Sequence, residues 1–180
     1  MPKFVALLRA INVGGRNVKM AELCRLFEQA RLADVRSVIA SGNVLFTSRA
    51  GDAAALERRI EAALREGLGY DVATFVRTGA DLDAVVAHEP FDARDPVRES
   101  DTVHVIFMRE RISRERAERI VALSTDYDDL RIFGREVFWR TRGRSSDSKI
   151  KPGAFARAFG DPGTARNITT VRKLAEKLRS

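Results

Sequence analysis

The two halves of this 180-residue sequence repeat one order of strand-like and helix-like segments. The first half reads strand, helix, strand, strand, helix, strand, and the second half starts the order again at Val103. A β-α-β-β-α-β order is typical of ferredoxin-like units. The sequence therefore predicts an α+β fold with two ferredoxin-like units in tandem. The second unit is predicted to be imperfect, because a C-terminal helix takes the place of its last strand.

Hydrophobic periodicity defines the elements of the first half. The apolar run from Phe4 to Leu8 predicts a central strand that is covered by other elements. The runs 35–39 and 44–47 predict a hairpin that turns at Ala40-Ser41-Gly42-Asn43. Asp52 has the position of an N-cap for the second helix, and residues 72–76 predict the fourth strand.

The second half supplies a similar set of signals. Residues 103–108 predict a strand, Ser113 a helix N-cap, and residues 130–139 a hairpin that turns at Gly134. The stretch 88–101 contains two prolines and mixed charge, which is typical of a linker. We therefore expect an N-terminal unit at 1–87, a linker at 88–101 and a C-terminal unit with a basic C-terminal helix at 102–180.

Positive charge is concentrated towards the C-terminus. The net charge is +7, and residues 140–180 hold 11 basic and 3 acidic side chains. Such a distribution favours anionic partners, although arginines on a solvated helix face give the same composition. The tract Arg140-Thr141-Arg142-Gly143-Arg144, Lys149, Lys151 and the outer face of the last helix could bind nucleic acid, with Phe138 or Trp139 available for stacking. Nucleic acid is a possible but not the favoured partner, because the aromatic RNP1 sequence is missing.

The composition predicts a cytoplasmic protein with no membrane partner. Cys24 is the single cysteine, which fits a reducing compartment, and it lies on the apolar stripe of the first helix, where a small buried hydrophobe is expected. No apolar run reaches the ~20 residues that a membrane helix needs. The oligomeric state has no sequence signal.

Motifs for the common cofactors and nucleophiles are missing from the sequence. It has no P-loop, no G-x-G-x-x-G and no G-x-S-x-G, so we predict no cofactor. His88 and His104 are the two histidines, and no metal-ligand spacing accompanies them. His88 is expected in a loop, and His104 on a sheet surface.

Polar segments at predicted strand ends suggest an anion site. Glycine turns and helix N-termini offer backbone N–H groups to an anion, and cationic side chains add full charge. Arg9 is of particular interest because it ends an apolar strand, where a buried cation would need a partner. The predicted ligand-binding residues are Arg9, Asn12, Gly14, Gly15, Ser41, Asn43, Ser148, Lys149, Arg166 and Asn167.

Each of these segments also has a purely structural interpretation. Gly14-Gly15 can form a tight turn, Ser41-Gly42-Asn43 can close a hairpin, and Asn167 can cap the last helix. The site hypothesis therefore requires loops that are distant in sequence to meet in one cleft, which contains Arg9, Asn43, Lys149 and Arg166. An enzyme that uses Ser41, Ser148 or Lys149 with Asp147 is a further alternative. Direct activation of Ser148 by Lys149 is disfavoured, because adjacent strand residues point to opposite faces.

The sequence also resembles a known family, the domain of unknown function 1697 family (DUF1697). The resemblance implies a small bacterial cytosolic protein with a tandem ferredoxin-like architecture, and it implies no established activity. Ala10 stands where the family usually has glycine, and Ile168 where it often has tryptophan. The segments that carry the resemblance are Leu8-Arg9-Ala10-Ile11-Asn12-Val13-Gly14-Gly15, Met20-Ala21-Glu22-Leu23, Ser41-Gly42-Asn43-Val44-Leu45-Phe46, Ser148-Lys149, and Thr164-Ala165-Arg166-Asn167 through Thr170-Val171.

Overall fold

The computed structural model describes residues 1–39 and 42–180. These residues form eight strands, six α-helices and one turn of 3-10 helix at Ser145–Asp147. The strands form two four-stranded antiparallel sheets, which confirms the predicted α+β class. The chain divides into two compact units, 1–84 with 172–180, and 85–171. Residues 88–101 thus group with the second unit and 172–180 with the first, and the division at 1–87, 88–101 and 102–180 stays a prediction.

The first sheet is built around an apolar central strand. It contains β1 (Lys3–Leu8), β2 (Ala33–Ser37), β3 (Asn43–Thr47) and β4 (Thr74–Thr78). The strand order is β2-β3-β1-β4, and all neighbours are antiparallel. The side chains of β1 from Phe4 to Leu8 are buried on both faces of the sheet, which explains why the run is continuously apolar. The predicted central strand and hairpin are confirmed.

Two helices cover one face of the first sheet. α1 (Met20–Gln29) and α2 (Ala53–Leu68) bury their apolar stripes against side chains such as Phe4 and Phe46. Asp52 caps α2 by accepting hydrogen bonds from the amides of Ala54 and Ala55, both at 3.2 Å, as predicted. α3 (Gly79–Ala87) follows β4.

Carboxylates cover the outer edge of β4. Alternate amides of an edge strand have no strand partner, and unpaired edges invite association with other chains. In this protein three side-chain carboxylates accept those amides, two from α2 and one from α3. The pairs are Thr74 with Glu61 at 2.9 Å, Val76 with Glu57 at 2.9 Å, and Thr78 with Asp81 at 2.8 Å.

The second sheet is also four-stranded. It contains β5 (Thr102–Phe107), β6 (Asp128–Phe133), β7 (Glu136–Thr141) and β8 (Thr164–Asn167), in the order β6-β7-β5-β8. The prediction that helix replaces the last strand is therefore wrong. β8 pairs with β5 from Phe107 opposite Thr164 to His104 opposite Asn167, and α6 (Ile168–Arg179) begins directly after it.

Helices α4 (Arg114–Val121) and α5 (Pro152–Phe159) cover one face of this second sheet. The Ser113 hydroxyl accepts a hydrogen bond from the Arg116 amide at 3.2 Å, so its predicted N-cap role is confirmed. The inward stripe predicted for the last helix is also confirmed. Its buried members in α6 are Val171, Leu174, Ala175 and Leu178.

Candidate functional site

The loop after β1 is joined to both neighbouring strands of the first sheet. The Leu8 amide donates to the Gly42 carbonyl oxygen at 2.7 Å, and the Arg9 amide donates to the Ala73 carbonyl oxygen at 2.9 Å. The segment that starts at Arg9 therefore begins beside Gly42 and Asn43. Two of the predicted polar segments come together in the first unit.

Arg9 itself has an exposed side chain. Burial along β1 stops at Leu8, which is 2% exposed, so Arg9 is not a buried cation in need of a partner. Within residues 1–39 and 42–180, the Arg9 guanidinium has no hydrogen bond or ion pair. It is therefore available to an anion from solvent.

The rest of this loop combines an open turn with further cations. The Asn12 side-chain oxygen accepts a hydrogen bond from the Val18 amide at 2.8 Å, which closes the loop before α1. Gly14 and Gly15 have φ values of 65° and 81°, a region that favours glycine, and the space around their Cα atoms is open. The Arg16 guanidinium lies 4.1 Å from the centre of the Tyr70 ring. The N-cap residue of α1, Lys19, makes no capping hydrogen bond with its side chain.

Asn43 closes the hairpin between β2 and β3. It is 2% exposed, and its side-chain amide donates to the Ile39 carbonyl oxygen at 3.0 Å. The Val38 amide in turn donates to the Asn43 carbonyl oxygen at 2.9 Å. The structural interpretation of this segment thus has direct support. Ser41, the other predicted residue of the turn, lies outside the described residues.

In the second unit, Ser148 and Lys149 bind a buried carboxylate that no sequence motif indicates. Asp128 is 1% exposed. The Ser148 hydroxyl donates to one of its oxygens at 2.6 Å, and the Lys149 amide donates to the other at 2.8 Å. The Trp139 indole N–H and the Thr125 hydroxyl complete the set of donors, both at 3.0 Å.

This set of donors keeps Asp128 ionised. Burial by itself raises the pKa of Asp128, but the hydrogen bonds from Ser148, Trp139, the Lys149 amide and Thr125 together outweigh burial and lower the pKa. The Ser148 hydroxyl is therefore committed as a donor to a carboxylate. The Lys149 side chain is exposed and has no polar partner in the part of the chain that the structure describes.

Strand β8 carries the last two predicted ligand residues. Arg166 is half-buried, and its guanidinium donates to the Thr164 hydroxyl and to the Ala165 carbonyl oxygen, both at 2.8 Å. Burial lowers the pKa of Arg166 to about 10, so it remains protonated at neutral pH. The Asn167 side-chain oxygen accepts from the Thr169 amide at 2.9 Å and from its hydroxyl at 2.8 Å, as expected of a helix cap.

Carboxylates neutralise much of the basic tract at 140–144. Arg140 is only 1% exposed, whereas a nucleic-acid contact needs an accessible cation. The remaining arginines of the tract also have acidic partners. The pairs are Arg140 with Asp95 and Asp129 at 2.8 and 3.0 Å, Arg142 with Asp95, and Arg144 with Asp147 at 3.3 Å.

The segment predicted as a linker packs on the second sheet. The Asp95 carboxylate accepts hydrogen bonds from both Arg142 and Arg140. These hydrogen bonds hold the pKa of Asp95 well below its usual range despite partial desolvation. The Phe91 ring lies 4.6 Å from the Arg140 guanidinium. The His88 ring stacks on Phe133 at 4.1 Å between centroids. Neither contact has a local sequence signal, because the partners are more than 40 residues apart.

His104 lies in the interior of β5, half-buried and 5.6 Å from the Trp139 ring. Burial lowers the pKa of His104, so it is neutral at pH 7. Across residues 1–39 and 42–180, no three His, Cys, Asp or Glu side chains form a group that could hold a metal ion.

The structure thus groups the predicted residues within each unit. The loop that contains Arg9 to Gly15 begins beside Gly42 in the first unit, and Ser148 and Lys149 share Asp128 in the second. The single cleft that would contain Arg9, Asn43, Lys149 and Arg166 draws on both units and stays a prediction.

The fold defines the class as an α+β protein with two antiparallel four-stranded sheets, each covered by helices on one face. A family model described as "protein of unknown function (DUF1697)" matches residues 1–138. The chain belongs to this family, as the resemblance indicated.

A solved structure has the same fold over the whole chain. It is that of the conserved bacterial protein SP0830 from Streptococcus pneumoniae, with a TM-score of 0.80 and 24% sequence identity. The match covers 100% of this chain and 99% of that one. No curated protein matches the sequence. None of the helices in the described ranges has the length and apolar character to cross a membrane.

Proposed function

We propose that this protein binds an anionic small molecule, phosphorylated or nucleotide-like, at its polar strand-end loops. The observation that carries the proposal is the exposed Arg9 guanidinium, which has no polar partner within residues 1–39 and 42–180. Its loop, residues 9–19, also contains Arg16 and Lys19 and no acidic residue. A phosphate there would meet positive charge without displacing an existing ion pair.

Backbone donors add to this loop. The first amides of a helix have no intrahelical acceptor, and the side chain of Lys19, the N-cap residue of α1, does not cap them. The open turn at Gly14 and Gly15 lets a ligand approach the backbone closely. In the second unit, we propose that Lys149 and Arg166 supply charge. The full set of proposed contacts is Arg9, Asn12, Gly14, Gly15, Ser41, Asn43, Ser148, Lys149, Arg166 and Asn167.

Thermal unfolding with inorganic phosphate, pyrophosphate and ADP tests the proposal. A ligand at about 100 times its Kd adds about 2.7 kcal/mol to the free energy of unfolding. We expect at least one of these probes to raise the melting temperature, and Arg9→Gln to abolish the effect. Arg49→Gln removes another exposed arginine of the first unit and should leave the effect intact. No stabilisation of the unmodified protein, or an equal response in both variants, would overturn the proposal.

Nucleic-acid binding through the C-terminal third has less support. The arginines at 140, 142 and 144 are engaged by carboxylates, which leaves mainly Lys149, Lys151 and the outer face of α6. Affinity for single-stranded oligonucleotides should then be weak and should fall steeply with salt. Affinity that is strong and independent of salt would contradict this ranking.

An enzymatic role has the least support. The Ser148 hydroxyl donates a hydrogen bond to the Asp128 carboxylate. The lowered pKa of Asp128 makes this carboxylate a weak general base. A nucleophilic Ser148 would also have to leave the hydrogen bond that organises its own loop. Its hydroxyl oxygen accepts from the Ile150 amide at 3.1 Å.

We also propose a tandem of ferredoxin-like units, a bacterial origin and a cytoplasmic location. Both sheets have the same strand order and each pairs with two helices, which supports a tandem of ferredoxin-like units. The likeness to the conserved bacterial protein from Streptococcus pneumoniae supports a bacterial origin. The single cysteine supports a cytoplasmic location.

A further inference from the structure

The first unit has a second candidate binding site, far along β1 from the loop at 9–19. A cavity of about 370 Å³ opens beside the first residue of β1, Lys3, and the last residue of β3, Thr47. Leu45 and Leu178 form apolar walls, and Asp34 and Arg36 come from β2. None of these residues belongs to the proposed strand-end site, so the two sites are independent.

The irregular stretch of β2 lines the cavity. The pairing of β2 with β3 shifts register between Ala33 and Arg36, and Asp34 has a φ of 50°. An extra residue at such a bulge bends the strand and changes where its side chains point. The Thr47 hydroxyl donates to the Asp34 carboxylate at 2.8 Å, which holds the bulge against β3.

The register places two cations on one face of the sheet. Lys3 is opposite Thr47, and Arg36 is opposite Leu45. Directly paired residues share a face, and so do residues two apart on one strand. Lys3, Arg36, Thr47 and Leu45 therefore point to the same side, away from α1 and α2.

Neither cation at this face is neutralised. Lys3 and Arg36 make no ion pair in the described ranges, and the Arg36 guanidinium donates a hydrogen bond to the Lys177 carbonyl oxygen at 3.3 Å. Asp34 contributes one negative charge, and its carboxylate already accepts a hydrogen bond from the Thr47 hydroxyl. The rim of the cavity therefore carries two positive charges and one negative charge.

We propose that this cavity binds a small monoanionic carboxylate with an aliphatic body. The net charge of the rim complements one anionic group, which would lie between Lys3 and Arg36. The aliphatic body would contact Leu45 and Leu178. Ligand cavities usually measure about 300–1,000 Å³, so the volume is at the small end of that range and suits a compact ligand better than a nucleotide.

Sodium 4-methylpentanoate is a suitable probe, titrated into the full-length ¹⁵N-labelled protein. We expect saturable amide shifts at Leu45, Thr47 and Leu178. Lys3→Gln and Arg36→Gln should each weaken binding about three- to fivefold, which is the upper part of the range for exposed charge pairs. Arg58→Gln removes an exposed cation on α2, which does not line the cavity, and should leave the affinity unchanged.

Two analogues test the charge assignment. 4-Methylpentanamide keeps the carbon skeleton but is neutral, and it should bind more weakly than the acid. Leucine adds an ammonium group, and tighter binding of leucine would overturn the monoanion assignment in favour of a zwitterion held partly by Asp34. Absence of saturable shifts in the well-dispersed spectrum, or affinities that neither Lys3→Gln nor Arg36→Gln alters, would overturn the site. Shifts confined to residues 9–19 would also overturn it and would instead favour the strand-end loop.

Discussion

Ser148 donates a 2.6 Å hydrogen bond to the buried carboxylate of Asp128, which lies 20 residues earlier in the chain. The bond ties the start of β6 to the segment that leads into α5. Trp139 from β7 and Thr125 from the turn before β6 donate to the same carboxylate. Four local structures of the second unit therefore depend on one ionised side chain.

We expect Asp128→Asn to lower the free energy of unfolding by about 3 kcal/mol. The substitution keeps the shape, but it removes the charge and turns one acceptor into a donor that faces other donors. Chemical unfolding in urea measures the change. Asp126→Asn is the matched control because Asp126 is exposed, and it should change the free energy by less than about 0.5 kcal/mol. Equal effects of the two variants would contradict a structural role for Asp128.

Acid should destabilise the protein through the same carboxylates. Asp128 and Asp95 have lowered pKa values in the folded state. Their contribution is present above the unfolded pKa of about 3.9 and is lost as the pH falls through the folded pKa. We therefore expect the free energy of unfolding to decrease progressively below about pH 4. The decrease should be shallower in Asp128→Asn, and identical pH profiles for the variant and the unmodified protein would refute this linkage.

Much of the fold could be predicted from the sequence because its strongest signals are local. The apolar run Phe4 to Leu8 and the caps at Asp52 and Ser113 each predict one element without reference to the rest of the chain. Strand β8 escaped prediction because Thr164–Asn167 is short and contains little apolar surface. β8 is an edge strand, and its pairing with β5 stabilises it in place of the apolar surface that its own sequence lacks.

The candidate site was less predictable because it depends on contacts between distant residues. The exposure of Arg9 depends on where the flanking strands end, and the role of Ser148 depends on Asp128. The donors to Asp128 come from positions between 3 and 21 residues away, a spacing that no helix or strand period produces. The carboxylate of Asp128 at the start of β6 was the sole sequence signal for this cluster of donors.

Glu57 provides a test of how the edge of β4 is protected. This residue is 2% exposed on α2, and it accepts the Val76 amide at 2.9 Å. Glu57→Ala should lower the free energy of unfolding by about 2 kcal/mol, because it leaves a buried amide without an acceptor. Glu57→Gln keeps an acceptor oxygen and should recover a large part of the loss. Urea unfolding of both variants compares them, and Glu66→Ala on the exposed face of α2 is the control.

The outcome for self-association distinguishes an edge-protecting role from simple loss of packing. An uncovered edge strand can pair with a second chain, so Glu57→Ala should aggregate more at a given concentration than Glu57→Gln. Light scattering during mild heating measures this difference. Equal aggregation of the two variants, despite different stabilities, would show that the amide of Val76 does not control association.

Gly163 should be essential for the approach of β8 to β5. A Cβ atom at this position would lie 2.5 Å from the Phe107 carbonyl oxygen and 2.7 Å from the Met108 sulfur. The first contact is with backbone in a paired strand, which cannot move without disturbing the sheet. We therefore expect Gly163→Ala to lower the free energy of unfolding by about 2 kcal/mol or more. Gly51→Ala is the matched control, because nothing lies within 4 Å of its added Cβ atom, and it should be neutral or stabilising by about 0.5 kcal/mol. If urea unfolding gave the same stability for both alanine variants, the strand β8 would have to lie farther from β5 than this contact requires.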